Sequence, residues 1–315
     1  MSEDKLLNHH ENSPILIHVG LHKCGSTWLQ KHMFNNEEIG FSSPWGEQAA
    51  LCVSEIISID PLTFCPSATL EKFNKNAKIG KRDSYRVISH EALSSRPHHG
   101  SYYSKEVAQR LYEIFPNAKV LFIFREQGSL IHSLYGEHLR NGGRETLREF
   151  IGTGFEPDGF TSLIRLSFFE FERLLQLYQD IFGEANTLAL PLEMLSKQPN
   201  MFVKKICDFC NVPQGHLPTS RRENIAWGPV TYELLRCSNY VFRGSRLKPK
   251  TGPILAVRRK VLEIVDRLIP KKLQVGFLKR QQAVIKQRTG NRYCQSNLKL
   301  SRSLELDLRS YGYDC

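Results

Sequence analysis

The sequence predicts an α/β domain with a central parallel sheet flanked by helices, and three observations carry that expectation. Short apolar runs alternate along the chain with longer segments whose apolar residues recur every three to four positions. The most apolar run, Lys119-Val-Leu-Phe-Ile-Phe124, shows no polar alternation, as a strand buried on both faces requires. The 315 residues are 41% hydrophobic and 24% charged, a balance that supports a sizeable core and excludes disordered and collagen-like chains. Without an internal repeat or a low-complexity linker, residues 14–315 read as one domain behind a flexible polar tail at 1–13.

Taken in order, Pro14-Ile-Leu-Ile-His-Val-Gly20 is a first strand ending at glycine, and a helix begins at Ser26. Arg86-Val-Ile-Ser-His-Glu91 is a second strand. Residues 101–115 carry helical spacing and stop before Pro116, which cannot continue a helix. After the strand at 119–124 come helical patterns at 127–141, 144–152 and 161–182, then the strand-like Thr187–Pro191. The segment Met201–Val212 is helical again and holds Cys207 and Cys210. No second Cys pair or His pair completes a zinc site around them, so they read as buried helix cysteines. All eight cysteines are scattered and read as reduced thiols, and no bound metal is expected. No run reaches the ~18 apolar residues of a membrane span, and the first residues lack the apolar stretch of a secretion signal. The expectation is a cytoplasmic protein, at most peripheral to a membrane.

Charge is unevenly spread. Lys and Arg number 43 against 32 Asp and Glu, a net +11, and ten of those eleven charges fall in a basic helical segment at about 243–284. Within it Ile254, Val257, Val261, Ile264, Val265 and Leu268 recur at helical spacing and leave a basic opposite face. The helix at 254–269 has two readings. It makes peripheral contact with an anionic membrane or acidic polymer, or it packs by its apolar side and leaves its charges in water. Aromatic residues are nearly absent from the segment and no DNA or RNA module is present, so no nucleic-acid partner is expected.

The most informative residues are Gly20-Leu-His-Lys-Cys-Gly-Ser-Thr-Trp28, which follow a strand and open a helix. Such a unit aims backbone N–H groups and a helix dipole at an anion, and makes the domain P-loop-like. The spacing Gly20-x4-Gly25 imitates a nucleotide triphosphate loop, but Ser26 stands where that loop needs its lysine, and Lys23 lies inside the turn instead. These residues resemble the 5′-phosphosulfate loop of sulfotransferases dependent on 3′-phosphoadenosine-5′-phosphosulfate (PAPS). Lys23, Gly25, Ser26, Thr27 and Trp28 match that loop, and His22 replaces its usual proline. A second segment, Phe124-Arg-Glu-Gln-Gly-Ser-Leu-Ile-His-Ser-Leu-Tyr135, resembles the family's 3′-phosphate segment, with Arg125 and Ser133 at the required spacing. Weaker similarity, nearest to bacterial carbohydrate-type members, extends through Ala189–Leu195 and Asn291–Tyr313. Leu192 stands where a tyrosine is common, and the Arg-Lys-Gly segment of the animal cytosolic enzymes is absent.

The resemblance implies PAPS as co-substrate, held by Lys23, Gly25, Ser26, Thr27, Trp28, Arg125 and Ser133. Trp28 would stack on adenine, although by itself it reads as a core residue at a helix start. Lys23 would neutralise the departing phosphate, and no divalent ion is implied. The acceptor's proton would pass to a base at the end of the second strand. Matching the animal enzymes selects His90, with Ile88 in place of their lysine, and matching carbohydrate-type members selects Glu91. Both could instead merely cap the following segment. The implied function is sulfonyl transfer to a hydroxyl or amine of a carbohydrate, glycolipid or other glycan-containing acceptor. Two alternatives remain open: a binding protein for acidic polymers or nucleic acid with a degenerate P-loop, and a P-loop kinase.

Overall fold

The computed structural model describes residues 14–78, 84–214, 227–242 and 252–315. The expected tail at 1–13 and the first part of the basic segment, 243–251, lie outside the described residues. The chain opens with β1 (Ile15–His18), α1 (Ser26–His32) and the two-residue β2 (Phe41–Ser42). Then come α2 (Ala49–Ile57), α3 (Pro66–Asn76), β3 (Tyr85–Ser89), α4 (Ser104–Ile114) and β4 (Lys119–Phe124). The helices α5 (Gln127–Arg140), α6 (Leu147–Ile151) and α7 (Phe171–Phe182) precede β5 (Thr187–Pro191). Helices complete the chain: α8 (Leu192–Lys197), α9 (Pro199–Cys210), α10 (Pro229–Phe242), α11 (Pro253–Leu268), α12 (Lys271–Thr289) and α13 (Cys294–Ser303).

All five strands are parallel and lie in the order β2-β3-β1-β4-β5. Ile17 of β1 faces Ile88 of β3 on one side and Val120 of β4 on the other. Chain order therefore reverses at β1, and the carboxyl ends of β3, β1 and β4 border the crevice where open α/β sheets bind ligands. The two central strands are buried and almost wholly apolar; Leu16, Ile17 and Val120 through Phe124 are fully enclosed, and His18 at the end of β1 is the buried polar exception. Each such side chain contributes about 1.5–3 kcal/mol of burial. Phe171 of α7 sets its ring 5.6 Å from Phe124 and 6.1 Å from Phe122, closing the sheet on that side. Cys207 and Cys210 are buried on α9 as free thiols. Among the described residues no helix is long and apolar enough to cross a membrane.

Three elements differ from expectation. The helix expected over 161–182 begins only at Phe171, behind a 3-10 turn at Leu166–Phe169. Tyr102 is the reason: its hydroxyl donates to Leu163 O (2.7 Å) and accepts from Arg165 N (2.7 Å), diverting that backbone from helical pairing. The strand expected over 86–91 stops at Ser89, because Glu91–Ser94 turns into a 3-10 helix capped by His90.

The third difference concerns the basic helix, whose packing reading is reversed. α11 is attached to α10 by buried Leu262, by Arg258 Nη1 donating to Asn239 Oδ1 at 3.0 Å, and by Asp266. Asp266 Oδ1 accepts from Gly228 N (2.8 Å) and Thr231 Oγ1 (2.6 Å). These contacts turn part of the charged face inward, and Ile254, Val257, Val261, Ile264 and Leu268 face solvent. α10 in turn packs on α5, where a Cβ at Gly136 would meet the Tyr232 ring at 2.7 Å.

Candidate active site

The turn between β1 and α1 is shaped by its glycines. A Cβ at Gly20 would lie 2.8 Å from Ser26 Oγ and 2.9 Å from His18 Cε1, so only glycine lets the strand end press against the helix start. Gly25 has φ +80°, and a Cβ there would meet Leu192 Cδ1 at 2.7 Å. Lys23 adopts φ +67°, a left-handed conformation that a lysine takes only under constraint from its surroundings. Ser94 Oγ donates to Gly20 O at 2.9 Å and ties the turn to the segment after β3. Ser26 Oγ is buried and meets no hydrogen-bond partner among the described residues. An unsatisfied hydroxyl in a glycine-shaped cradle at a helix start is what a bound oxyanion would complete.

Lys23 Nζ reaches Glu137 Oε2 at 2.6 Å, and Arg140 Nη1 reaches the same oxygen at 3.6 Å. Arg125 follows β4 directly, and its Nη1 donates to Lys23 O at 3.4 Å. The two segments singled out in the sequence thus meet across β1 and β4. Arg125 is aimed by its neighbour: Glu126 caps α5 through Gly128 N (2.6 Å) and Ser129 N (2.7 Å), while its own N–H donates to Glu193 Oε1 (3.0 Å). Glu193 also accepts from the Tyr313 hydroxyl at 2.9 Å, so the carboxyl-terminal segment braces this corner. Ser133 lies half-buried on α5, one turn before Glu137 and on the same helix face. Thr27 is on α1, and Trp28 is buried in the core with its ring 5.5 Å from His32.

At the end of β3, Glu91 Oε2 lies 2.9 Å from His22 Nδ1, joining the candidate base to the turn. Burial works to raise the Glu91 pKa, but the His22 hydrogen bond and the charges of His22, Lys23 and His90 outweigh it and hold the carboxyl below its ordinary value. His90 accepts from Ala92 N at 3.1 Å through Nδ1 and so caps the following turn. Burial, with Arg96 and His22 assisting, lowers its pKa. His22 stacks edge-on with His98 at 4.5 Å, and burial with nearby cations pulls His98 down to about 2. Cys24 is fully enclosed, and burial pushes its thiol far up, which leaves it inert.

Glu137 and His22 were not among the expected site residues. Glu137 is one acidic residue on a helix 114 positions from the lysine it holds, and no local pattern reveals that pairing. His22 stood in the motif as a departure from proline, a signal that could have marked it as a partner for Glu91. Beside Lys23 a cavity of about 840 Å³ opens between α5, α10 and α11, lined by Glu137, Arg140, Trp227, Leu262 and Asp266 among others. A larger cavity of about 1380 Å³ lies between α4 and α7 and touches no residue of the turn, so it has no part in this site.

No family model matches the sequence, and no curated protein matches it. Solved structures do resemble the fold. The similarity is to sulfotransferases. One is a sulfotransferase from Alicyclobacillus acidocaldarius, with TM-score 0.48 and 17% identity, covering 74% of this chain and 97% of that chain. Another is the sulfotransferase domain from the curacin biosynthetic pathway, with TM-score 0.39 and 17% identity, covering 67% and 79% respectively.

Proposed function

We propose that this chain is a PAPS-dependent sulfotransferase that moves a sulfonyl group to a hydroxyl or amine of a carbohydrate or glycan-containing acceptor. The observation carrying this reading is the meeting of the two segments singled out in the sequence, with Arg125 donating to the carbonyl of Lys23 across adjacent strand ends. The residues fit a PAPS-type donor: unpartnered Ser26 and the turn amides suit a 5′-phosphate, while Arg125 and Ser133 suit a separate 3′-phosphate. When bound, such a donor supplies a sulfonyl group already activated on a phosphate.

The chain's own residues would do the rest by position and charge. Lys23, inside the turn, would exchange its ion pair with Glu137 for the charge that gathers on the leaving oxygen. Glu91, held ionised, would take the acceptor's proton as the acceptor oxygen bonds to sulfur and the sulfur–phosphate oxygen bond breaks. His90 is the competing base only if it releases its cap, because accepting from Ala92 N through Nδ1 leaves the neutral ring's proton on Nε2. The acceptor side is the 840 Å³ cavity, where Trp227 and polar groups beside Lys23 suit a ring-shaped, hydroxyl-rich molecule.

The test compares melting shifts with adenosine 3′,5′-bisphosphate, magnesium-ATP and duplex DNA, followed by transfer from labelled PAPS to a saccharide panel in EDTA. The bisphosphate should raise the melting temperature, and Arg125→Ala should weaken its binding by about 1.5–3 kcal/mol. A shift with magnesium-ATP and none with the bisphosphate would overturn the reading in favour of a kinase.

A further inference from the structure

Five aliphatic side chains of α11, Ile254, Val257, Val261, Ile264 and Leu268, are each between 51% and 75% exposed. Their spacing of three and four residues places them on one face of the helix, a stripe about 21 Å long at 1.5 Å per residue. The rotation is imposed by the protein, since Leu262, Arg258 and Asp266 clamp the opposite side to α10. Scattered exposed aliphatics are ordinary, but a continuous stripe on a clamped helix marks a contact surface.

Charge decides what the surface contacts. Lys260 and Arg267 flank the stripe, both are exposed, and among the described residues neither meets a carboxylate. Past the turn at Pro270, Lys271, Lys272, Leu273 and Val275 are exposed as well. The two acidic residues of the helix are engaged elsewhere: Glu263 accepts from Arg259 at 3.1 Å, and Asp266 holds α10. A second copy of this chain laid along the stripe would set these cations against their like, without acidic partners to relieve them. An anionic lipid surface meets both features at once, taking aliphatic side chains below the headgroups and lysines and arginines among them.

We propose that α11 lies in the headgroup region of an anionic phospholipid bilayer, its apolar stripe inserted and its basic flanks on the phosphates. This inference rests on the exposed face alone and stands or falls independently of sulfonyl transfer.

Flotation of the full-length protein with phosphatidylcholine–phosphatidylglycerol vesicles tests it. Wild type should float, weakly or not at all with phosphatidylcholine alone, and rising salt should reduce binding. The double substitutions Val261→Asp with Ile264→Asp, and Lys260→Glu with Lys271→Glu, should each lower the bound fraction at least about tenfold while leaving the melting temperature and bisphosphate binding unchanged. Carbene footprinting of the wild type removes any dependence on variant folding: Val257, Val261 and Ile264 should lose labelling when anionic vesicles are added. Equal flotation of all variants, or unchanged footprints, would overturn the proposal. So would a wild-type dimer that the aspartate pair converts to monomer without any vesicle binding, since a second copy would then own the face.

Discussion

Lys23 combines two properties that rarely coincide, a left-handed backbone and a charge committed to an ion pair with Glu137 at 2.6 Å. The backbone conformation costs of order 1–3 kcal/mol, which the surrounding turn must offset. Such a residue serves where its charge is needed, so Lys23→Ala should depress turnover by roughly two to three orders of magnitude and also loosen the donor. Glu91 separates from it in kinetics. Glu91→Gln should lower kcat by about 10²–10⁴ with donor affinity nearly intact, whereas His90→Ala should chiefly loosen the turn it caps. Steady-state kinetics beside calorimetry of the bisphosphate distinguishes the three; an active Glu91→Gln with a dead His90→Ala would transfer the base to His90. The pH profile follows from the same carboxyl. Because the folded Glu91 pKa lies below its ordinary 4.5, a base at Glu91 should stay ionised through neutral pH, and activity measured against pH should be lost only on the acid side of that value.

Elements carry a different kind of information. Asp266 joins α11 to α10 through Gly228 and Thr231, and its carboxylate sits on the wall of the cavity beside Lys23. Asp266→Ala should cost about 1–3 kcal/mol, because three donors, Gly228 N, Thr231 Oγ1 and Gln274 Nε2, lose a charged acceptor, and the loss should register as a lower denaturant midpoint. An unaffected midpoint would show that α11 is held by Leu262 and Arg258 alone. The strands and the glycine-shaped turn between β1 and α1 were legible in the sequence, since a strand buried on both faces is mostly apolar and a tight turn needs glycine at fixed positions. The orientation of α11 was not. Periodicity shows that an apolar stripe exists, while the side that faces the protein depends on Asn239, Gly228 and Thr231, which no pattern within the helix encodes. The start of α7 was misplaced for the same reason, because Tyr102 intercepts its approach from 63 residues away. Glu137 was likewise out of reach of local reading.

At the scale of the whole molecule, buried imidazoles tie stability to pH. Burial lowers His18 to about 4 and His98 to about 2, against an ordinary value of 6.5. Below 6.5 the unfolded chain takes up protons that the folded chain refuses, so stability falls with pH, by up to about 1.4 kcal/mol per unit for each histidine. The His18 contribution levels off near 4, while that of His98 continues falling toward about 2. Melting temperatures should therefore decline steadily from pH 7 to pH 5, and His98→Gln should flatten part of that slope; a level profile would contradict the burial of both rings. The sheet order has a consequence for biosynthesis. β1, formed by residues 15–18, needs β4 at 119–124 to cover one of its two edges. At translation rates of about 5–20 residues per second, roughly 5–20 seconds separate the emergence of the two strands from the ribosome. Throughout that interval the strand that leads into the glycine turn keeps an unpaired backbone edge and uncovered apolar side chains, which should make the nascent chain a client for a ribosome-associated chaperone.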